Sequence, residues 1–535
     1  MNKLQTLKIV PVGLVLLAAI FAAAPAFPAR LTPAVRISPT PTPSPVAATT
    51  QSVQDLVARI RSRLVRPELR RGSVGIKVTS LASGRTVFEE NAERYFMPAS
   101  NMKNFTVATA MEKLTPDFRF VTSVYAAAMP GSGGTVKGDV RIYGRGDVSI
   151  STAFSDGNYY KGLDDLADKI VQAGVRKIDG DLVGDDSYFI GDALPATWEW
   201  DDLQWYYGAE VSALPLNDNA FDLTVAPGVS GYGCVAKVSP LNLIVRVVNQ
   251  CTTTAAGTKR DLKIVKRLNE NIIEISGSLP VGDSGFSGSV TFTRPAELFV
   301  ALLKERLALK GVTVTGRTRV LASRPSATAP AQVEIARLES PPFSVIAGKT
   351  MKPSQNMYTE TILRALGERM RADLAQKPSV AGVKDETAPR ESMELGLTAV
   401  RNFLSQIGVA PDSVMQYDGS GLSRHDLVTP AAVVAVYTYM AKQSRYSQAW
   451  RDALTIAGVD GTLKNRFAGT KASGNLRGKT GTIDQVSALS GYMTTAGGEQ
   501  LIVSIIVNGV AEGRSRTSLI DDIVVNLANF DGKIE

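Results

Sequence analysis

Three short patterns along the chain contain the side chains best suited to covalent chemistry. They are Ser100-Asn101-Met102-Lys103, Ser354-Gln355-Asn356 and Lys479-Thr480-Gly481-Thr482. Each pattern is common when it occurs alone, and then it usually marks a surface serine near a lysine, a helix cap or a lysine-protected edge strand. In combination the three would supply a nucleophile, a base, hydrogen-bond donors and a cation.

Ser100 precedes apolar residues at helical spacing, which predicts that it lies at the start of a helix over residues 98–114. Residues three apart share a helix face, so the Lys103 amine should lie beside the Ser100 hydroxyl. A desolvated lysine near other cations can have a pKa low enough to remove the hydroxyl proton. The helix N-terminus would add backbone N–H groups for a developing oxyanion. We therefore expect Ser100 to be a nucleophile and Lys103 its base.

The second pattern stands where a loop enters another apolar-periodic segment. From this position we expect Ser354 to relay a proton to a leaving amine. Asn356 is expected to hold both the substrate amide and Lys103.

The third pattern falls in a predicted strand over residues 476–482. A strand at a sheet edge can pair with an extended peptide, so Lys479 and the hydroxyls of Thr480 and Thr482 should face the peptide's terminal carboxylate. Gly481 is expected to remove a side chain where the ligand approaches.

The order Ser-x-x-Lys, Ser-x-Asn, Lys-Thr-Gly resembles that of the penicillin-recognising serine enzymes. The interval from Ser100 to Ser354 is too long for a small β-lactamase. The sequence is most similar to the low-molecular-mass class C penicillin-binding proteins with a large insertion, the D-alanyl-D-alanine carboxypeptidase/endopeptidase family. Further stretches that carry the resemblance are Gly144-Arg145-Gly146-Asp147, Asp185-Asp186-Ser187-Tyr188-Phe189, Val211-Ser212-Ala213-Leu214 and Asp418-Gly419-Ser420-Gly421-Leu422-Ser423-Arg424.

The resemblance implies a serine enzyme that cuts peptidoglycan stem peptides ending in D-Ala-D-Ala through an acyl-serine, with no metal or organic cofactor. β-Lactams would inhibit it. In that family an aspartate of the insertion helps bind the amino group of a diamino-acid side chain, and Asp185 is the best match, with Asp186 as the alternative. The implied fold is α/β (α+β): a penicillin-binding transpeptidase-like domain with an antiparallel sheet flanked by helices, interrupted by strand-rich inserted subdomains.

Two other functions remain open on the same scaffold. A β-lactamase or esterase would need an activated water, and the Glu-x-x-Leu-Asn segment that class A β-lactamases use for this purpose is missing beyond Ser354; Glu360 begins an imperfect match. A non-hydrolytic wall sensor would accept penicillin on Ser100 without releasing D-alanine. A Ser-His-Asp triad through His425 lacks its usual Gly-x-Ser-x-Gly segment.

The order of the elements predicts two parts of one domain, at 51–120 and 335–535, around an insertion at 121–334. Residues 1–26 read as a secretory signal, with a basic start, an apolar run and small residues. An uncleaved anchor is the alternative. Residues 27–50, rich in Pro and Thr, read as a linker. The protein is thus expected to be exported to the periplasm or cell envelope, and peripheral membrane association stays open.

Composition limits the remaining classes of function. One histidine and two cysteines in 535 residues disfavour a zinc enzyme. The net charge of +8 comes without a basic run interleaved with aromatic residues, so no nucleic-acid partner is expected. Cys234 and Cys251 either close one loop as a disulfide or remain free thiols.

Overall fold

A computed structural model describes residues 51–240, 244–324, 331–376 and 390–534. The predicted signal (1–26) and linker (27–50) lie outside the described residues. Within those ranges, no helix has both the length and the apolar character needed to cross a membrane.

The described ranges contain ten α-helices. They are α1 (Val53–Leu64), α2 (Lys103–Lys113), α3 (Lys161–Gln172), α4 (Pro295–Leu309), α5 (Phe343–Met351), α6 (Asn356–Ala375), α7 (Ser392–Gln406), α8 (Pro430–Lys442), α9 (Ser447–Ala453) and α10 (Gly513–Asn529). Local sequence explains several of the starts. The Ser52 side chain caps α1 in a capping box with Asp55, and Thr429 caps α8 just before a proline in its first turn.

The chain up to residue 291 contributes most of the described strands. These are β1 (Ser73–Ser80), β2 (Thr86–Glu90), β3 (Val121–Ala126), β4 (Thr135–Lys137), β5 (Val140–Tyr143), β6 (Lys177–Asp179), β7 (Leu182–Asp185), β8 (Ala220–Ala226), β9 (Val235–Ser239), β10 (Arg246–Asn249), β11 (Thr252–Thr254), β12 (Asp261–Lys266), β13 (Ile272–Pro280) and β14 (Phe286–Thr291). The later strands are β15 (Thr313–Val314), β16 (Thr318–Leu321), β17 (Val333–Glu339), β18 (Val414–Met415), β19 (Leu427–Val428), β20 (Thr455–Ile456), β21 (Arg477–Ile483), β22 (Val486–Thr494) and β23 (Gln500–Asn508).

Strands from both ends of the chain form one antiparallel sheet of six strands, in the order β2-β1-β23-β22-β21-β20. Side chains alternate between its faces, as the pleat of a strand requires. On β23, Val503 and Ile505 join the apolar core with α1 and α10, whereas Ile502 and Ile506 join the core with α2 and α5 to α9. The sheet is therefore covered by helices on both faces, as the sequence predicted.

The segment between α2 and α5 forms smaller sheets of its own. Five strands in the order β16-β7-β5-β3-β17 pack with α3 and α4, and β4, β6 and β15 form a parallel sheet beside them. The strands from β8 to β14 build two further small sheets around a core that includes Cys234 and Cys251. Strand β17 runs through the predicted junction at 334/335 and pairs with β3, so the inserted sheet extends to Glu339. The predicted domain limits otherwise stay predictions.

Candidate active site

Ser100 lies on a single 3-10 turn, Ala99–Met102, which leads directly into α2 at Lys103. The sequence predicted one helix here, and the structure divides it. Asn101 fixes the turn to the sheet, because its Nδ2 donates to the Lys479 carbonyl at 2.9 Å and its Oδ1 accepts from the Ser490 hydroxyl at 2.6 Å. Ala99, just before the serine, has a left-handed φ of 46°. Such backbone conformations persist only where the surroundings enforce them.

The Lys103 amine is fully buried and has three oxygen partners. Its Nζ lies 2.8 Å from Ser100 Oγ, 2.6 Å from Asn356 Oδ1 and 2.8 Å from the Ser420 carbonyl oxygen. Burial lowers the pKa of Lys103 to about 7, although nearby carboxylates, above all that of Asp418, raise it. Near neutral pH this amine is therefore deprotonated in a large fraction of molecules, while it lies within hydrogen-bond reach of the serine.

Ser354 occupies the turn between α5 and α6, with a left-handed φ of 69°. Its Oγ accepts from Lys479 Nζ at 2.9 Å, and the same amine donates to the Thr480 carbonyl at 2.7 Å. Burial lowers the pKa of Lys479 well below its ordinary value, and the charge of Lys103 lowers it further. The second and third sequence patterns thus meet through a direct hydrogen bond.

Strand β21 presents an open edge beside Ser100. The short strand β20 pairs only with Arg477 and Gly478, so β20 leaves the edge uncovered from Lys479 onwards. Thr480 and Thr482 both line the cleft at this edge. A threonine that sequence reasoning missed, Thr462, also lines the cleft, and its hydroxyl lies 2.7 Å from that of Thr480. Thr462 stands outside every recognised pattern, so the sequence carried no signal for it.

The structure explains the glycine at position 481 by packing within the protein, whereas the sequence analysis explained it by the approach of a ligand. A Cβ at this position would lie 2.4 Å from the Pro98 carbonyl oxygen. The missing side chain therefore lets β21 pack closely against the segment that leads into Ser100. The space that a Gly481 side chain would need is occupied by this segment, not left free for a ligand.

The cleft above Ser100 has a volume of about 610 Å³. One wall comes from the insertion and carries three carboxylates, Glu199, Asp201 and Asp202, which we call the acidic rim. The other lining residues are Ser100, Gln204, Trp205, Tyr206, Tyr207, Pro353, Ser354, Asn356, Gly421, Leu422, Arg424, Thr462, Thr480, Thr482, Ile483, Asp484 and Arg516. Burial, and then repulsion from Asp201 and Glu199, raises the pKa of Asp202 to about 6. The rim is thus a concentration of negative charge in a protein of net charge +8.

Comparison with known proteins identifies the family. The model of the D-Ala-D-Ala carboxypeptidase 3 (S13) family matches residues 56–530. This chain belongs to that family. Its sequence is 34% identical over 477 residues to the D-alanyl-D-alanine carboxypeptidase of Actinomadura sp. (strain R39), covering 87% of this chain and 83% of the relative. The resemblance drawn from the three motifs is confirmed, and so is the activity class: the protein is a serine-type D-Ala-D-Ala carboxypeptidase.

Two more distant proteins, a curated relative and a solved structure, are also similar to this chain. D-alanyl-D-alanine carboxypeptidase DacB of Haemophilus influenzae is 25% identical over 447 residues, covering 82% of this chain and 86% of the relative. The crystal structure of penicillin-binding protein 4 (dacB) from the same organism superposes with a TM-score of 0.72 at 24% identity, covering 89% of this chain and 98% of that one. That likeness confirms the predicted fold class.

Asp185, predicted to bind the substrate amine, lies apart from the cleft of this S13 enzyme. Its side chain is fully buried, its Oδ2 accepts from Arg141 at 2.7 Å and its Oδ1 accepts from the Ser187 hydroxyl at 2.5 Å. The alternative, Asp186, is half-buried and accepts from Ser212 and from backbone N–H groups. Neither lines the cleft, so the placement does not fit the predicted role. The acidic residues of the insertion that line the cleft are those of the rim, at 199–202.

Glu360, the imperfect match to the β-lactamase glutamate, is not at the cleft surface either. It lies fully buried one turn into α6, where its Oε1 accepts from the Gly419 N–H at 2.9 Å. Burial raises the pKa of Glu360 to about 7. This position does not suit a residue that activates water above an acyl-serine.

Proposed function

We propose that Ser100 is the nucleophile with which this S13 carboxypeptidase attacks peptidoglycan stem peptides ending in D-Ala-D-Ala. The observation that carries the proposal is the 2.8 Å contact between Ser100 Oγ and Lys103 Nζ, an amine whose pKa burial lowers to about 7. A serine hydroxyl becomes a competent nucleophile only when an adjacent base removes its proton.

In the acylation step Ser100 Oγ bonds to the carbonyl carbon of the penultimate D-alanine, and its proton passes to Lys103 Nζ. The negative charge on the former carbonyl oxygen is held by the backbone N–H groups of Ser100 and Thr482. The C–N bond then breaks, and the terminal D-alanine leaves with a proton from Ser354. The proton that Lys103 accepted passes to Lys479 to replace it, so Lys103 is again unprotonated. The 2.9 Å contact between Ser354 Oγ and Lys479 Nζ supports this role, because the buried amine can resupply the hydroxyl.

Water completes the cycle by attacking the acyl-serine ester. Its proton passes to Lys103, the ester C–O bond breaks, and Ser100 Oγ takes that proton back as the carboxylic acid product leaves. A β-lactam acylates the same serine, but its opened ring stays attached in place of a leaving amine, so the ester should persist and inhibit the enzyme.

Substrate recognition is divided between the sheet edge and the insertion. The hydroxyls of Thr480 and Thr482, beside the Lys479 amine, suit the terminal carboxylate of the peptide. Asn356 keeps one Nδ2 proton for the substrate amide, since the other donates to the Tyr207 carbonyl.

The acidic rim suits a positively charged group on the stem peptide, such as the free amine of a diamino acid. An ammonium bound there would relieve the repulsion that raises the pKa of Asp202. Asp201 and Asp202 are the better candidates, because Glu199 already accepts from Arg424 at 2.8 Å. We therefore assign to Asp201 and Asp202 the role in binding the substrate amine that the sequence analysis assigned to Asp185.

Export to the periplasm or cell envelope is part of this proposal. The basic, apolar and small-residue order at the N-terminus supports it. The disulfide between Cys234 and Cys251, with Cα atoms 5.3 Å apart, also supports it, since such bonds persist in oxidising compartments.

The test is mass spectrometry of purified muropeptides after incubation with the enzyme and with Ser100→Ala. We expect monomeric pentapeptides to lose one D-alanine, and the variant to release none. Conversion of cross-linked dimers to monomers would add endopeptidase activity. Acylation by fluorescent penicillin with no D-alanine release from any muropeptide would contradict the proposal and indicate a sensor.

A further inference from the structure

Both of the other hydrogen-bond acceptors of the Lys103 amine are connected to the insertion, on either side of the acidic rim. On one side the Asn356 amide, whose Oδ1 accepts from Lys103, donates from Nδ2 to the Tyr207 carbonyl at 2.9 Å. The position of this amide therefore depends on the backbone that follows the rim.

On the other side the connection runs through Asp418. Its Oδ2 accepts from the Trp198 indole N–H at 2.8 Å, and Trp198 immediately precedes the rim. The same carboxylate accepts from the backbone N–H groups of Ser420, at 3.0 Å, Gly421, at 2.6 Å, and Ser423, at 2.9 Å. Asp418 thus shapes the loop whose Ser420 carbonyl accepts from Lys103.

Both members of this link are removed from solvent. Asp418 is fully buried and Trp198 is 8% exposed, although its neighbours Glu199 and Trp200 are exposed. A charge-assisted hydrogen bond in such surroundings is stronger than one at the surface. The Trp198 side chain therefore fixes the start of the acidic rim to the buried Asp418 carboxylate.

Four charged groups face the Lys103 amine. The carboxyl groups of Asp418, Glu360 and Asp426 favour its protonated form, with Asp418 the strongest of the three, and the charges of Lys103 and Lys479 repel each other. Asp418 therefore affects the position of the Lys103 amine, through the loop that it shapes, and also the pKa of that amine, through its own charge.

We propose that Trp198 is a positioning residue for Lys103, acting through Asp418, so that the acidic rim and the catalytic base are mechanically linked. A stem peptide held at the rim would then stabilise the arrangement in which the amine lies against Ser100. The inference rests on the proposed function in taking Lys103 as the base.

Trp198→Phe, which removes the indole N–H, tests the link, and Trp200→Phe is the matched control. Trp200 is 73% exposed and does not line the cleft. The measurement is the second-order rate constant for acylation by benzylpenicillin from pH 5 to 9, with thermal midpoints to compare folding. We expect Trp198→Phe to acylate about tenfold more slowly than wild type, the effect of losing one hydrogen bond to a charged group. Trp200→Phe should match wild type, and Trp198→His, which keeps a ring N–H, should recover part of the rate.

Asp418→Asn tests the route. Removing this carboxylate should lower the pKa of Lys103 and move the acidic limb of the pH–rate profile to lower pH. Because Trp198 acts through Asp418, adding Trp198→Phe to Asp418→Asn should change the rate by less than about twofold.

Equal acylation by Trp198→Phe and Trp200→Phe, or fully multiplicative effects in the double variant, would overturn the inference. If Lys103→Met acylates as fast as wild type, it is instead the proposed role of the lysine that fails.

Discussion

The proposed nucleophile, Ser100, lies beside Lys103, a lysine that is buried yet has oxygen partners for its protons. Arginine would keep its charge at any physiological pH and could not accept the serine proton. We expect Lys103→Arg to reduce acylation by benzylpenicillin about 10²- to 10⁴-fold, the range for losing a general base. Intact-mass analysis of the penicillin adduct over time measures this. Lys113→Arg, at the end of the same helix and bound to Gln406, should acylate as wild type does.

The pKa of Lys103 also sets the direction of the pH dependence. Its folded value, about 7, lies below the ordinary value because of burial, and only the unprotonated amine can accept a proton. The kcat/KM for D-alanine release should therefore fall about tenfold per pH unit below pH 7 and level off above it. Initial rates from pH 5 to 9 measure the profile. A rate that stays constant from pH 5 to 8 would show that no group titrating near neutrality serves as the base.

The contact between Ser100 and Lys103 could be predicted from the sequence, whereas the acidic residues that line the cleft could not. Ser100 and Lys103 stand one helical turn apart, and such local geometry follows from sequence spacing. The direction of the Asp185 side chain could not be predicted in this way, because it depends on which face of β7 packs against Arg141. The acidic rim lies outside regular strands and helices, where hydrophobic periodicity gives no information about exposure.

At the scale of elements, the turn that presents Ser100 depends on close backbone packing. Gly421 has a φ of 82°, and a Cβ there would lie 1.8 Å from the Ala99 carbonyl oxygen. We expect Gly421→Ala to push this turn away from Lys103, lowering stability by about 2–4 kcal/mol from overpacking and backbone strain together, and strongly slowing acylation. Denaturant unfolding and acylation rates, read on the same samples, measure both effects.

The control variant Gly408→Ala separates the cost of the steric clash with Ala99 from the cost of a left-handed backbone at a residue other than glycine. Gly408 has nearly the same φ, 80°, but nothing lies within 4 Å of its ideal Cβ position. It should lose only about 1 kcal/mol, the penalty for a left-handed non-glycine residue, and keep its acylation rate. Equal losses in the two variants would show that contact with Ala99 is unimportant.

Alternating and helical patterns were sufficient to predict the central elements of the fold. Apolar spacing in the sequence predicts strands over 486–494 and 501–507 and helices over 356–371, 392–407 and 430–442. These ranges lie close to the observed bounds of β22, β23 and α6 to α8. The two-residue strand β20 and the 3-10 turn at Ala99–Met102 are too short for a periodic pattern. Their form depends instead on tertiary hydrogen bonds, such as those of Asn101.

At the scale of the whole molecule, the disulfide belongs to a small core of the insertion that is separate from the cores flanking the catalytic sheet. Closing a loop of this length should stabilise the surrounding sheets by about 3 kcal/mol. We expect the double variant Cys234→Ser, Cys251→Ser to lower the unfolding temperature of the insertion in calorimetry while benzylpenicillin acylation at 25 °C stays near wild type. A parallel loss of acylation would show that these sheets support the catalytic centre directly.

The distribution of charge over the molecule leads to a prediction about substrate choice. The chain is basic overall, yet the cleft wall built by the insertion is acidic. A cationic stem peptide should therefore be attracted locally at the rim, through a partly exposed interaction of at most about 1 kcal/mol. Replacing Asp201 and Asp202 by Asn should raise the KM for a peptide with a free side-chain amine roughly fivefold and leave the KM for its N-acetylated form unchanged. The double variant Asp261→Asn, Asp412→Asn, at two exposed positions that do not line the cleft, changes the net charge by the same amount and is the control. An equal rise for both peptides would indicate a loss of cleft shape rather than of an ionic contact.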